Sequence, residues 1–462
     1  MRHLSLLTLL LLPACSPERS LPQGPAQRVI VISCDTLRSD RLGCYGYPLP
    51  TSPTLDALAR ESTLYRSAWT TAPWTAPAMA ALMTGRTPDE LGVHGGNRFA
   101  LAPEALTLAE EARDAGFATA AVVSNWVLRQ PPAGMSSSGL SQGFDVYDDE
   151  MKQREGNREA FERHADATSD AAIRWLDSSA ARDGRFFLWV HYQDPHGPYT
   201  PPAEFAQRFK REDTLRVELP TGKTQSGKGQ IPAYQVVGGE RSLESYRARY
   251  DAEVAWFDHQ LARLFTCLRE KNWWEDTLLV FTADHGESLG ENGWFFCHGE
   301  NLQRETVQVP LIIRFPGRSS RMMDVPVSHL DLWPTIREAL GLESAARETA
   351  DPSSPARRGL SLFTPELPLQ RPLPLQLGTP GTARRHVGMV DGDGIFTVFP
   401  DGRTEYTPLR ELGQPQLPEL QAKLRQAQQP DGGTRLPALP LVGDGRSRQA
   451  LQNLGYTEGE DH

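Results

Sequence analysis

Apolar residues in this chain fall into short runs of two kinds. Arg28–Ser33 (RVIVIS), Ala118–Val123, Phe186–Tyr192 (FFLWVHY), Leu278–Thr282 and Pro310–Phe315 are nearly continuous apolar runs, most of them rich in β-branched or aromatic residues. None has a polar face, which is the pattern of strands covered on both sides. Between them the spacing becomes helical. Thr54–Glu61 reads as a helix capped by Thr54, Thr107–Ala115 as one stopped by Gly116, and Ala165–Leu176 as an amphipathic helix. Val254, Phe257, Leu261, Leu264, Phe265 and Leu268 share one helical stripe, and Leu332–Leu340 ends at Gly341. Strand, helix and strand joined by short links predict an α/β fold, with a large mixed, mostly parallel sheet flanked by helices. Near the end, Val387–Val390 and Ile395–Phe399 flank a Gly/Asp turn, and Asp401-Gly402 makes a second turn. These predict a small antiparallel sheet, followed by a helix over Leu417–Gln428.

The polar stretches divide the chain. Residues 28–342 read as the catalytic unit, 343–380 as a linker or surface excursion rich in Ala, Pro, Ser and Arg, and 381–462 as a small C-terminal subdomain. A long polar insert over 208–242 reads as a mobile loop or lid. No internal repeat is apparent.

Length and charge narrow the function classes. The 462 residues suffice for one large α/β domain or two ordinary ones. Lys and Arg number 48 against 58 Asp and Glu, a formal charge of −10. Such a chain is a poor non-specific nucleic-acid binder, so no nucleic-acid partner is expected. Small anionic substrates remain compatible, because a metal ion supplies local positive charge. The N-terminus carries Arg2 and His3, an apolar run Leu4–Leu12, then Leu12-Pro13-Ala14-Cys15. That run is too short to span a bilayer and fits a secretory signal. Its end resembles a bacterial lipobox, which implies cleavage before Cys15 and lipidation of its thiol. Residues 16–27 then read as a tether holding an exported lipoprotein at a membrane, periplasmic or cell-surface. The other cysteines, Cys34, Cys44, Cys267 and Cys297, allow three disulfide connectivities. No C-x-x-C pair suggests structural zinc.

Ligands in open α/β sheets gather beyond the carboxyl ends of strands. Asp35 follows the first strand, Asp194 and His196 follow Phe186–Tyr192, and Asp284 and His285 follow Leu278–Thr282. A lone Asp after a strand is usually a turn or cap residue. Three deliveries at the same end, one an Asp-His dipeptide, point to a joint metal site.

Four segments in order, VISCDTLRSDRLGCYGY, TAPAMAALMTGRTPDELGVHG, FFLWVHYQDPHGPYTPP and VFTADHGESLGENGWFFCHGENLQRETVQVPLIIRFPG, resemble the successive motifs of the sulfatase family of the alkaline phosphatase superfamily. The ending LQNLGYTEG also resembles the tail of many such proteins. The resemblance implies an alkaline-phosphatase-like fold and a hydrolase of sulfuric or phosphoric esters. It implies one divalent ion, Ca, Mg, Mn or Zn, held by Asp35, Asp284 and His285. His196 matches the histidine that touches the ester group, and His298 a second basic residue near the leaving group. Asn97 matches, loosely, a polar residue that contacts substrate. Substrates would be small-molecule, glycan-linked or lipid-linked esters.

One motif departs from the family. Its signature opens with Cys or Ser, oxidised to formylglycine, and carries an Arg four residues on. Here those positions are Thr75 and Met79, with Pro77 kept. No formylglycine is expected. The resemblance instead makes Thr75 a metal-bound nucleophile, as in nucleotide pyrophosphatases and lipoteichoic acid synthases. Two other readings compete: a phospho-group transferase of the latter type, and a catalytically lapsed binding protein on the same fold. Plain structural roles also compete. Thr75 is placed to cap a helix, His191 to sit in the core, Glu287 to bond His285, and Asp331 to cap Leu332 onward.

Overall fold

The computed structural model describes residues 26–94, 99–130, 138–154, 161–182, 184–211, 217–342, 359–364, 366–409, 417–428 and 439–440. The expected signal, the tether up to residue 25, the lipidation site at Cys15, Asn97 and the LQNLGYTEG tail lie outside them.

The apolar runs form one large sheet. Its strands are β1 (Arg28–Cys34), β2 (Thr63–Trp69), β3 (Ala118–Val123), β4 (Val146–Asp148), β5 (Phe186–Tyr192), β6 (Thr277–Ala283), β7 (Gln308–Arg314), β8 (Arg321–Met323) and β9 (Val327–Ser328). They lie in the order β8-β2-β7-β6-β1-β5-β3-β4, with β9 also beside β2. β6, β1, β5, β3 and β4 are parallel, and β7 runs antiparallel between β6 and β2. Every residue of β5, β6 and β7 is buried, which explains their unbroken apolar character.

Helices α1 (Pro53–Arg60), α4 (Ala165–Leu176) and α5 (Leu243–Glu270) pack together, as do α2 (Thr75–Thr84), α3 (Leu108–Asp114) and α6 (Leu332–Ala339). The stripe on α5 is buried as its spacing predicts, from Tyr246 to Leu268. Thr54 is not the cap of α1. The helix starts at Pro53, and its open amides at Thr54 and Leu55 donate to the Asp258 carboxylate of α5, at 2.8 and 2.9 Å. Asp331 does not cap α6 with its side chain either. Its carboxylate accepts from Ser328 N and Leu360 N and pairs with Arg371.

The C-terminal antiparallel sheet comprises β10 (Leu373–Leu377), β11 (His386–Val390), β12 (Gly394–Val398) and β13 (Thr404–Pro408). Its first strand lies within the stretch read as a linker. It then packs against α7 (Leu417–Gln428). β10 touches the large domain where it matters: Gln376 N donates to Thr71 O at 2.8 Å, and Gln376 Oε1 accepts from Asp89 N at 2.9 Å. These residues bracket α2. Cys34, Cys44, Cys267 and Cys297 are unpaired. No helix among the described residues is long and apolar enough to cross a membrane.

Candidate metal centre and active site

Parallel register brings the acids together. Cys34 pairs with Tyr192 on one side and Ala283 on the other. The ladder continues one step past the strands, with Asp35 N donating to Tyr192 O and Asp284 N to Cys34 O, both at 3.0 Å. Asp35 and Asp284 therefore leave adjacent strands side by side. The backbone here is constrained. Thr36 holds φ at 55°, a rare conformation for a β-branched residue. Its N–H donates to Asp284 Oδ1 at 3.2 Å and its carbonyl accepts from Tyr250 Oη at 2.7 Å.

Ligand atoms of Asp35, Asp284 and His285 lie within 4.8 Å of one another, and all three residues are fully buried. His285 Nε2 is 3.5 Å from Asp284 Oδ2 and 3.8 Å from Asp35 Oδ1. Both of those carboxylate oxygens lack a hydrogen-bonding partner. His285 Nδ1 sits 3.0 Å from Gly286 O. A carbonyl only accepts, so Nδ1 carries the proton and Nε2 presents its lone pair to the acids. Two orphaned carboxylate oxygens and one imidazole lone pair facing one point fit a divalent cation, of the hard or borderline kind.

Thr75 completes the arrangement. It is the first residue of α2, whose cap position is Trp74, a residue that makes no side-chain capping bond to the helix. Its hydroxyl instead lies 3.5 Å from Asp35 Oδ2 and 3.4 Å from His285 Nε2. The α2 N-terminus behind it also favours negative charge at this point. Met79, at the family's arginine position, is packed in the core.

The protein groups among themselves resist charging. Burial raises the Asp35 carboxyl well above its usual range, against the Asn125 hydrogen bond. Burial, and next the charge of Asp35, push Asp284 up to about 6. Burial pushes His285 down to about 4, despite Asp284. An acid pair that ionises reluctantly beside a neutral imidazole is what a bound cation would relieve.

His196 and His298 stand beside the triad. Ring centroids are 4.6 Å apart for His285–His298 and 5.2 Å for His196–His298. These two rings retain 5% and 8% exposure where the triad has none, so approach to the site runs past them. Trp74 meets His298 edge-on at 5.4 Å. Gly299, at φ 71°, allows this, since a Cβ there would lie 2.1 Å from the Trp74 ring. The insert also reaches here. Tyr234 stacks on His196 at 6.1 Å, and Tyr234 and Gln235 both bond Phe296 O.

Glu287 bonds a different histidine from the one expected. Its Oε1 is 3.3 Å from His298 Nδ1, and its Oε2 accepts from Tyr199 Oη. Two further residues come into view. Asn125 donates to Asp35 Oδ2, its own Oδ1 accepting from Val127 N at 2.8 Å. Asn125 follows β3 as Asp35 follows β1, so asking what lies beyond each strand would have found it. His191 faces Asp35 Oδ2 at 3.8 Å through Nε2. Ser33 Oγ accepts from Trp189 Nε1 at 2.9 Å and lies 2.8 Å from His191 Nδ1, which fixes the ring's orientation. Inside an apolar strand pattern, nothing distinguished it from a core histidine.

The family model for sulfatases matches residues 27–342. The chain belongs to the sulfatase family. It is 27% identical over 347 residues to the sulfatase YidJ of Escherichia coli K12, a match covering 68% of each chain. It is 27% identical over 341 residues to human iduronate 2-sulfatase, covering 64% of this chain and 61% of that one. Among solved structures, a phosphonate monoester hydrolase from Silicibacter pomeroyi superposes with a TM-score of 0.66 at 21% identity, over 86% of this chain and 93% of the other. The large mixed sheet with its small C-terminal sheet is thus the sulfatase-type alkaline phosphatase fold, and the chain is a hydrolase of sulfate or phosphate esters.

Proposed function

We propose that this sulfatase-family protein is a metal-dependent hydrolase that uses Thr75 as its nucleophile and acts on phosphorus-centred esters. The observation that carries the reading is the Thr75 hydroxyl, turned away from helix capping and toward Asp35 and His285. Asp35, Asp284 and His285 would hold the ion, with Asn125 fixing Asp35. A divalent cation there supplies Lewis acidity to an ester oxygen and lowers the pKa of a neighbouring hydroxyl. Thr75 Oγ1 attacks phosphorus in line, giving a phosphothreonine as the alcohol departs. His298, held by Glu287, donates a proton to the departing oxygen, and His196 steadies the transferring group. Water then attacks phosphorus, its proton passing to His298, and Thr75 Oγ1 leaves as the ionised oxygen that began the cycle.

The choice of phosphorus is chemical. A formylglycine hydrate expels sulfate through its second hydroxyl. A sulfated threonine has no such group, so sulfate turnover at Thr75 would stall. Retention of the triad with a buried, directed Thr75 also weighs against a lapsed site. A phospho-group transferase shares the first half of this mechanism and differs in the acceptor. The leader supports an exported lipoprotein anchored through Cys15, which Cys15→Ser should release into the soluble fraction. Small esters, including those on glycans, are the substrate class that the relatives' names support.

The test combines metal analysis with panels of aryl sulfates, phosphate monoesters, phosphodiesters and phosphonate monoesters, run beside Thr75→Ala. Turnover of a phosphorus ester, lost in Thr75→Ala, is expected. Sulfate turnover alone, or full activity in the variant, would sink the nucleophile assignment.

A further inference from the structure

Beside His196, on the loop that follows β5, the protein encloses a cavity of about 270 Å³. That is small for a ligand site and suits a head group rather than a sugar chain. Its walls include Glu162, Asp166, Gln193, Asp194 and Glu253, with His196 forming one side. His164 bonds Glu162 at 3.0 Å, and that bond raises the imidazole to about 9, so one acid is neutralised within the wall. Asp194 and Glu253 remain packed against each other. Both carboxyls are pushed up, first by burial, Asp194 to about 6. Two buried acids that ionise this reluctantly are what a bound cation would relieve.

A second observation points to a ligand. Gln193 lines the cavity at 4% exposure, and its Oε1 has no hydrogen-bonding partner. Asp194 lines it at 6% exposure with Oδ2 likewise unpartnered. Buried acceptors ask for donors. Among the described residues only Asp35, Asp284 and His285 bring three ligand atoms within 4.8 Å, so this cavity is not built for a bare ion. A group with several N–H donors and one positive charge answers both the acids and the Gln193 carbonyl. A quaternary ammonium would leave Gln193 unsatisfied. Trp256, also on the wall, offers an apolar surface for the stem of such a group.

Building on the ester-hydrolase reading above, we propose that this cavity is a subsite for a primary ammonium group carried on the alcohol part of the substrate. His196, shared between cavity and metal centre, places that ammonium a short stem away from the reacting ester.

The test uses the full chain with 2-aminoethanol as binding probe, followed by NMR titration beside ethylene glycol and choline, and compares kcat/KM for 2-aminoethyl phosphate and ethyl phosphate. The ammonium compound is expected to bind where glycol and choline do not. The amino ester is expected to be preferred roughly 10- to 100-fold, the range of a hydrogen bond to a charged group. Asp194→Asn and Glu253→Gln should both remove that preference, Glu253→Gln with ethyl phosphate turnover left in place. Asp166→Asn, on the partly exposed rim, should reduce it if the buried pair does not tolerate substitution. Equal binding of glycol or choline, or a preference untouched by all three variants, overturns the proposal. Binding of 2-aminoethanol without turnover of any ester would instead uphold the subsite and fail the hydrolase reading.

Discussion

Thr75 and Glu287 make separable contributions, and each can be isolated. Thr75 is one oxygen among four converging groups, and the other three are two carboxyls and an imidazole. Thr75→Ala should therefore keep most of the bound metal while reducing kcat on the order of 10³-fold or more, the usual scale for a lost nucleophile. Thr75→Ser should recover much of the rate. Elemental analysis beside steady-state kinetics reads both effects, and parallel loss of metal and activity would make Thr75 a structural ligand only. Glu287 grips His298 and is itself fixed by Tyr199. Its effect should depend on how badly the leaving oxygen needs a proton. Glu287→Gln should slow alkyl esters about tenfold or more, a part of the roughly 10²- to 10⁴-fold that a general acid contributes. Nitrophenyl esters, whose leaving group departs unprotonated, should be nearly unaffected. A uniform loss across both classes would assign Glu287 to packing.

Long-range partners shape the elements as much as local sequence does. The first turn of α1 is closed by Asp258, some two hundred residues further along the chain. Asp258→Ala would strand two amides, and should destabilise the protein by about 1–3 kcal/mol in denaturant melts, without changing KM. Thr54→Ala should cost little, reversing the expectation from sequence, where a Thr before an apolar run reads as a cap. The same contrast governs what was legible. Strand positions were readable because burial on both faces removes polar residues. The delivery of Asp35, Asp284 and His285 was readable because parallel strands end at one edge. The partner of Glu287 was not, since His285 and His298 are both close in sequence and only the Tyr199 bond settles its direction. Asn125 and the Ser33–His191 pair likewise depend on register between strands distant in sequence.

At the scale of the whole molecule, buried acids link stability to pH and to the metal. Asp284 and Asp194 are raised to about 6 and Asp258 to about 7, each first by burial. An acid whose folded pKa exceeds its unfolded value, about 3.9 for Asp, binds its proton more tightly when folded. It lends stability at low pH and loses that contribution as pH rises through the folded pKa. Chelated protein should thus weaken as pH climbs from about 4 to about 7. Metal-loaded protein should behave differently, because the cation requires Asp35 and Asp284 ionised and its binding strengthens as their protons leave. Asp194 and Asp258 titrate alike in both samples and drop out of the difference. What remains is a gap between loaded and chelated protein that widens with pH, by up to about 1.4 kcal/mol per pH unit for each proton displaced. Calorimetric melts with and without EDTA, from about pH 5 to about pH 8, would show it. A gap that stays constant over that range would mean the cation displaces no proton from these carboxyls, and so is bound elsewhere than between Asp35, Asp284 and His285.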